Sequence, residues 1–222
     1  MSFSVYPAPW FPKTRCVGRA LLPATLDYSG QCKKSNGSGQ ECPLHTLARL
    51  NFVANILETV RLVLREFVPD DADALALVIS DAETMRYYPA PYDRAGVEQW
   101  IERNRQRYVR DGVGLWALVL KATGEMVGDC GIIRQEIEGE SLYEIGYHLR
   151  RDLWGQGLAT EAATACRDGG FAHLGVNRLI SLIRPENVPS QRVAERNGMT
   201  IWKEIEWRGL RHYVYAIEKS GV

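Results

Sequence analysis

The sequence predicts an α+β domain with one mixed central sheet of about six to seven strands, flanked by helices. Two observations lead to this prediction. From Thr59 onward, short runs of alternating apolar residues, typical of strands, are interleaved with longer runs whose apolar residues recur at helical spacing. The 222 residues, of which 45% are hydrophobic, suffice for one globular domain and a modest extension.

The beginning of the chain differs from the rest. Residues 1–58 are predicted to form an irregular or partly disordered extension, and residues 59–222 to form the folded domain. Scattered prolines and the polar run at residues 33–40 show no sustained apolar period. Apolar side chains in residues 44–57 lie close to helical spacing, which is compatible with a short helix.

The domain is predicted to open with a strand and two helices. Alternating apolar residues predict a strand over residues 60–65. A helix is expected over residues 69–79, because Pro69 suits a first helical turn and the two aspartates after it complement the positive end of the helix dipole. The second helix is expected over residues 94–110, where two nearby glycines end it.

Three strands and a long helix are predicted next. Residues 115–120 and 126–135 read as a strand pair that turns at Thr123-Gly124, and residues 143–149 as a further strand. Residues 157–174 have apolar side chains on one helical face.

A strand, a short helix and a final strand pair are predicted to complete the domain. Residues 178–183 are predicted to form a strand, and residues 190–197 a helix closed by Gly198. Residues 201–206 and 212–217 are predicted to form the last strand pair.

Charge and cysteine content argue against several classes of protein. Lysine and arginine total 27, as do aspartate and glutamate, so the charge gives no reason to expect nucleic acid or an anionic membrane as partner. No apolar run approaches the roughly 18 residues of a transmembrane helix, and prolines interrupt the place of a secretory signal, so a cytoplasmic protein is expected. The five cysteines lack the spacing of a zinc site or a disulfide framework, so we expect free thiols and no metal.

A glycine-containing turn follows the strand at residues 143–149. In the segment Trp154-Gly-Gln-Gly-Leu-Ala-Thr160 the chain passes through this turn into a helix. Such a turn directs backbone N–H groups outward at the positive end of a helix, which suits a phosphate or pyrophosphate. Gly155 and Gly157 would let the backbone approach the anion closely.

Two nucleotide-binding patterns fit this turn poorly. A P-loop requires lysine and then serine or threonine after the second glycine, where Leu158 and Ala159 stand. A dinucleotide fingerprint requires a third small residue where Thr160 stands. Taken alone, the turn is also compatible with a structural role without a ligand, because two glycines are a weak signal.

The turn does not stand alone, and the combined motifs resemble the GNAT acetyltransferase superfamily. A strand Glu-Ile-Gly-Tyr from Glu144 precedes Trp-Gly-Gln-Gly-x-Ala-Thr-Glu-Ala, and a second motif spans residues 187–199. The resemblance covers residues 59–217 and is closest to the branch of ribosomal-protein N-terminal (alanine/serine) acetyltransferases. Trp154 is a departure, since the general pattern has arginine or glutamine there, although tryptophan is common in this branch.

The resemblance implies a GNAT fold and acetyl-CoA as co-substrate. It implies that loop N–H groups hold the pyrophosphate, that the preceding strand end binds the pantetheine arm like an added strand, and that Asn187 supports the same arm. A turn-forming role is the alternative for Asn187. The implied coenzyme residues are Tyr147, His148, Leu149, Gly155, Gln156, Gly157, Leu158, Ala159, Thr160 and Asn187.

Aminolysis of a thioester requires a neutral amine, a site for the developing oxyanion and a proton for the thiolate. The resemblance implies Ser190 as the proton donor, with a helix N-cap as its alternative role. Glu206, Glu204 and Glu144 are the candidates for the base, with a solvent-facing charge as the alternative for each.

The predicted function is transfer of acetyl from acetyl-CoA to an amine by direct attack in a ternary complex. A protein N-terminal amine is the first candidate acceptor and a small-molecule amine the second. A non-catalytic acyl-CoA-binding module is the rival function. Four aromatic residues are candidates for lining the acceptor site, with a core role as the alternative: Tyr87, Tyr88, Tyr92 and Trp100.

Overall fold

A computed structural model describes residues 55–219 of the chain. The α+β prediction is confirmed, with eight strands and four α-helices in this range. The strands are β1 (Asn55–Glu58), β2 (Leu62–Arg65), β3 (Leu115–Leu120), β4 (Met126–Ile137), β5 (Glu140–Leu149), β6 (Arg178–Ile183), β7 (Thr200–Trp207) and β8 (Leu210–Glu218). The helices are α1 (Ala72–Ile79), α2 (Arg94–Asp111), α3 (Leu158–His173) and α4 (Val188–Arg196).

The strands form one sheet in the order β1-β2-β3-β4-β5-β6-β8-β7. Neighbouring strands are antiparallel except β5 and β6, which are parallel and pair at a single position, Glu144 with Ile180. Next to this position the Ser181 hydroxyl donates a hydrogen bond to the Ile145 carbonyl at 2.8 Å. Within the described residues, the C-terminal part of β5 (146–149) has ladder partners on β4 only. The sheet is therefore forked between the carboxyl ends of β5 and β6.

Helices cover both faces of the sheet, because successive strand residues point to opposite sides. On β3, Trp116 and Leu118 pack in the cluster that contains residues of α3 and α4. Their neighbours Leu115 and Ala117 pack in the cluster that contains α1 and α2. We call these two sides the α3/α4 face and the α1/α2 face.

The first strand of the sheet was not predicted. The spacing over residues 44–57 is compatible with a short helix, but residues 55–57 belong to β1, so this interpretation is wrong for them. Residues 44–54 lie outside the described part of the chain. Adjacent apolar residues in so short a segment fit a helix or a strand, and pairing with β2 makes this segment a strand. The division of the chain at residue 58 stays a prediction, although residues 55–58 already belong to a strand that pairs with β2.

The other element boundaries differ from the prediction by a few residues. Strand β6 has the predicted bounds, whereas β5 begins at Glu140 instead of residue 143. The earlier start follows from the tight turn at Glu138 and Gly139, whose φ angles of 51° and 83° bring β5 back onto β4.

Candidate functional site

The turn before α3 leaves the N-terminus of that helix open. Gly155 and Gly157 have φ angles of 76° and 79°, in the left-handed region that favours glycine. Gly157 is the N-cap of α3, and no side chain caps the helix there. Because the first N–H groups of a helix have no intrahelical partner, those at the start of α3 are available to an anion beside exposed residues 155–157.

A salt bridge braces this turn from the loop between β1 and β2. The Arg61 Nε donates to Glu161 at 2.6 Å, and its Nη1 donates to the Gln156 carbonyl at 2.9 Å. Glu161 also accepts hydrogen bonds from the Thr59 hydroxyl and the Arg61 backbone N–H. Burial raises the pKa of Glu161, but these donors outweigh it and the pKa is lowered overall. Sequence reasoning missed this brace, although Arg61 lies in a predicted strand and Glu161 in the Trp-Gly-Gln-Gly-x-Ala-Thr-Glu-Ala motif.

Trp154 anchors the other side of the turn. Its indole N–H donates to the Leu149 carbonyl at 2.7 Å, which ties the turn to the end of β5. This contact explains how tryptophan serves at the position where the sequence departs from the general pattern. The departure therefore affects the geometry of the turn rather than the availability of its backbone N–H groups.

At the fork, the structure brings together two predicted residues from separate motifs. The Tyr147 hydroxyl lies 3.0 Å from the Ser190 Oγ and donates to the Ser190 carbonyl at 3.0 Å. Burial raises the pKa of Tyr147, which keeps its hydroxyl protonated. Both side chains are partly buried. A pair of hydroxyl groups thus lies between β5 and the start of α4.

Ser190 is not the cap of α4, so the alternative role considered for it is wrong. The helix begins at Val188 and its N-cap is Asn187, whose Oδ1 accepts from the Ser190 backbone N–H at 3.2 Å. The prediction misplaced this helix start by two residues because serine is itself a favoured cap. The Ser190 hydroxyl is therefore not used for capping, whereas the Oδ1 atom of Asn187 caps the helix.

The three candidate bases have different environments. Glu144 bridges the fork, accepting from Gln135 Nε2 at 2.8 Å and from the Leu182 N–H at 3.4 Å. Burial raises the pKa of Glu144. Glu204 is exposed on the edge strand β7 and pairs with Arg211, which lowers the pKa of this carboxyl. Glu206 is also exposed on β7, opposite Arg211 in the β8 register.

A buried hydrogen-bonded network lies on the α1/α2 face, next to the fork. His148 Nδ1 lies 2.7 Å from Asp129 Oδ1, and its Nε2 lies 2.8 Å from the Tyr88 hydroxyl. The Trp100 indole N–H donates to Asp129 Oδ2 at 2.8 Å. Asp129 is completely buried and His148 is 8% exposed. Sequence reasoning missed Asp129 and assigned His148 a backbone role, because nothing in the local sequence of either residue indicates its partner.

An open groove lies at the outer end of this network. Three segments line it: Arg86 to Pro89 between α1 and α2, Arg184 and Glu186 before α4, and Leu210 in the β7–β8 hairpin. Two of the four aromatic candidates, Tyr87 and Tyr88, belong to this lining. Trp100 and Tyr92 are partly buried and pack edge to face, with ring centroids 5.3 Å apart, beside the α1/α2 cluster.

Other kinds of site find little support in the described residues. Between residues 55 and 219, no three His, Cys, Asp or Glu side chains come together as metal ligands. The helices of this part of the chain are too short or too polar to cross a membrane. Cys130 and Cys166 are buried free thiols with their sulfur atoms 3.6 Å apart, and the other three cysteines lie outside the described residues.

Comparisons with known proteins agree with this geometry. Residues 61–200 match the family model for the acetyltransferase (GNAT) domain. A Bacillus subtilis protein, YkkB, is 40% identical over 136 residues, which is 61% of this chain and 79% of YkkB. The Bacillus licheniformis protein p20, named as an uncharacterized N-acetyltransferase, is 35% identical over 67% of this chain and 83% of its own.

A solved structure shares the whole fold. A proposed ribosomal-protein-serine acetyltransferase from Vibrio cholerae superposes with a TM-score of 0.63 and 26% sequence identity, over 73% of this chain and 96% of the other. The resemblance inferred from the motifs is thereby confirmed. This chain belongs to the GNAT acetyltransferase family.

Proposed function

We propose that this chain transfers an acetyl group from acetyl-CoA to an amine by direct attack in a ternary complex. One observation carries the proposal: an uncapped helix N-terminus adjoins a strand end that is unpaired on one side. The first feature suits the pyrophosphate of the coenzyme and the second suits its pantetheine arm. The fork ends at the two hydroxyl groups of Tyr147 and Ser190.

In this proposal, residues 155–160 offer backbone N–H groups to the pyrophosphate. Residues 147–149 offer the free edge of β5 to the amide groups of pantetheine, as a strand would to an added neighbour. The Asn187 amide, which caps α4 with its oxygen, has its N–H₂ group left for the same arm. The side chain of Arg61 fixes the turn through Gln156 and Glu161 and is itself a positioning residue.

The chemistry requires a proton donor on the side of the leaving thiolate. The amine nitrogen attacks the thioester carbonyl carbon, and the C–S bond breaks as the tetrahedral intermediate collapses. Ser190 Oγ donates a proton to the departing sulfur, and the Tyr147 hydroxyl lies 3.0 Å from the serine oxygen. Holding amine and thioester together supplies a large further part of the acceleration.

The amine must lose a proton, and the three carboxylates differ as acceptors for it. Glu204 is the weakest candidate, because pairing with Arg211 lowers its pKa. Glu206 is exposed on an edge strand. Glu144 lies at the fork with a raised pKa, which makes it the best placed of the three.

For the acceptor, we propose a protein N-terminal amine first and a small-molecule amine second. The groove is open along three chain segments instead of enclosed, which suits the end of an extended peptide. The Vibrio cholerae structure, described as a proposed ribosomal-protein-serine acetyltransferase, is similar in fold and sequence. An α-amine also needs only modest help in losing its proton, since its reference pKa is about 7.7–8.0 against about 10.4 for lysine.

The test measures release of free thiol from acetyl-CoA with three sets of amines. The first is a panel of peptides with free N-termini, the second the same peptides with blocked N-termini and one lysine, and the third a set of small amines such as spermidine. Turnover with the first set only supports the proposal, and turnover with the third set alone assigns a small-molecule acceptor. Coenzyme binding by calorimetry without turnover on any amine would instead indicate the non-catalytic acyl-CoA-binding module.

A further inference from the structure

When the His148 imidazole is neutral, the network of Tyr88, His148 and Asp129 has one consistent direction for its hydrogens. An ionised carboxylate accepts hydrogen bonds and donates none, so His148 carries its proton on Nδ1 and donates it to Asp129. Nε2 then has a free lone pair, and the Tyr88 hydroxyl must donate to it. The lone pairs of the Tyr88 oxygen are therefore left to accept a proton from outside the network.

Of these three residues only Tyr88 has substantial exposure, while its hydroxyl is directed inward to His148. Tyr88 is 42% exposed and lines the groove, whereas Asp129 is completely buried. The network thus connects the groove with a buried negative charge in the middle of the sheet. Trp100, which donates to the second oxygen of Asp129, fixes the carboxylate in place.

We propose that Tyr88, His148 and Asp129 relay the proton of the acceptor amine away from the reacting nitrogen. This inference rests on the proposed function. The neutral amine becomes positively charged on attack; its proton then passes to the Tyr88 oxygen while the hydroxyl proton of Tyr88 passes to His148 Nε2, and Asp129 stabilises the resulting imidazolium. The imidazolium then loses this proton to solvent, and solvent returns one to Ser190, so each turnover is balanced without a further reactant.

The environment of Tyr88 supports a relay rather than a lasting phenolate. Burial of the hydroxyl, together with the charges of Glu144 and Asp129, raises the pKa of Tyr88. A tyrosine of this kind gives up its proton only while it gains another. Tyr88 is therefore the catalytic residue, and His148 and Asp129 are positioning residues that act through it.

Glu144 is a less suitable receiver of this proton. Both of its oxygens already accept hydrogen bonds, from Gln135 and from the Leu182 N–H, and these bonds hold the fork. A proton on either oxygen would compete with a donor that is already present. The Tyr88 oxygen has no such competing donor among the described contacts.

The pH dependence of a relay depends on every ionisable group around it. From the segment between α1 and α2 these groups are Tyr88 itself and Tyr92. From α2 they are Arg103, which lies over the Trp100 ring at 5.5 Å, Arg107, whose charge acts on Glu144, and Tyr108, on which the charge of Asp129 acts. The sheet contributes Asp129 from β4, and Glu144 and Tyr147 from β5. Apart from Tyr147, none of these lies in the proposed coenzyme site, so coenzyme affinity can be measured separately from proton transfer.

The experiment compares four variants of the full chain, using whichever amine the free-thiol test identifies. Tyr88→Phe removes only the hydroxyl, and Asp129→Asn allows the imidazole to take the other tautomer. Glu144→Gln removes the competing carboxylate. Tyr108→Phe is the matched control, because it also removes a buried hydroxyl that bonds the sheet, to the Leu115 carbonyl, but lies outside the network.

At pH 7, Tyr88→Phe and Asp129→Asn are expected to lower kcat about 10²–10⁴-fold, the usual contribution of general base catalysis. Acetyl-CoA affinity should stay within a few-fold. The deficit should shrink as the pH rises above the pKa of the amine, because the amine then arrives neutral and hydroxide removes the second proton. Tyr108→Phe should lower the melting temperature but keep the wild-type pH profile of kcat.

Two results would overturn the relay. One is a Tyr88→Phe enzyme with wild-type kcat while Glu144→Gln is inactive, which would make Glu144 the base. The other is a loss of kcat that is equal at all pH values and parallels the loss of melting temperature among the variants, as expected if the network is only structural. Absence of turnover by the unmodified chain with every amine would instead remove the proposed function, and the relay with it.

Discussion

Replacing Gly157 by valine is the sharpest test of the turn before α3. Gly157 has a φ of 79°, and a Cβ atom at this position would have one neighbour within 4 Å, the Arg61 Nη2 at 3.7 Å. The protein thus has room for the new Cβ. Any loss of coenzyme affinity must then come from backbone strain or from crowding of the ligand.

The expected loss follows from the left-handed backbone. An L-residue other than glycine costs about 1–2 kcal/mol in this region, and a β-branched one costs at least as much. If the turn relaxes to a negative φ, binding must pay this cost when it restores the N–H directions that the phosphates need. At 1.4 kcal/mol for each tenfold change, acetyl-CoA should bind about 5- to 30-fold more weakly.

Calorimetric titration with acetyl-CoA measures this loss, and Gly175→Val is the matched control. Gly175 also has a positive φ, of 64°, with open space around it, but it lies at the other end of α3. Both variants should lose thermal stability, while only Gly157→Val should lose affinity. Equal acetyl-CoA dissociation constants for the two variants would refute the assignment of this turn to the coenzyme phosphates.

Three further predictions concern residues at the fork and at the start of α4. Ser190→Ala should lower kcat while its affinity for acetyl-CoA stays within a few-fold of the wild-type value, because a proton given to the thiolate matters mainly in the transition state. Its melting temperature should change little, whereas Asn187→Ala, which removes the α4 cap, should lower the free energy of unfolding by about 0.5–2 kcal/mol in urea titrations. Burial raises the folded-state pKa of Glu144 above its ordinary 4.5, so the wild type should lose stability as the pH rises through that raised pKa. Glu144→Gln should lack this part of the loss in a series of melting curves recorded at different pH values. A wild-type dependence of stability on pH in Glu144→Gln would contradict the burial of this carboxyl. A clearly destabilised Ser190→Ala would contradict the assignment of Asn187 as the cap.

The features that the sequence predicted well are those that short segments determine. The strand, glycine turn and helix from residue 143 to 174 follow one another without interruption, and each has its own local signal. The bounds of β6 were predicted because four apolar residues within this short segment, between polar loops, determine them. The start of α4 was misplaced because both Asn187 and Ser190 are favoured caps, and only the backbone geometry selects between them.

The features that the sequence did not predict depend on partners far apart in the chain. Glu161 lies one hundred residues from Arg61, and neither residue type indicates the other. His148 and Asp129 meet only because β4 and β5 pair in the register that places them opposite each other. Register is set by the hydrophobic pattern of the whole sheet and by the turn at Glu138, so no local motif contains this contact.

The alternation of side chains along β5 explains how one strand can serve both halves of the proposed reaction. Tyr147 points to the α3/α4 face, where it meets Ser190, and the adjacent His148 points to the α1/α2 face, where it meets Asp129 and Tyr88. Proton donation to sulfur and proton removal from nitrogen would then occur on opposite sides of the same backbone, to which the pantetheine arm is itself bound. Because a shift of one residue in the register of β5 would exchange these faces, the pairing of β4 with β5 has a direct role in placing the chemistry.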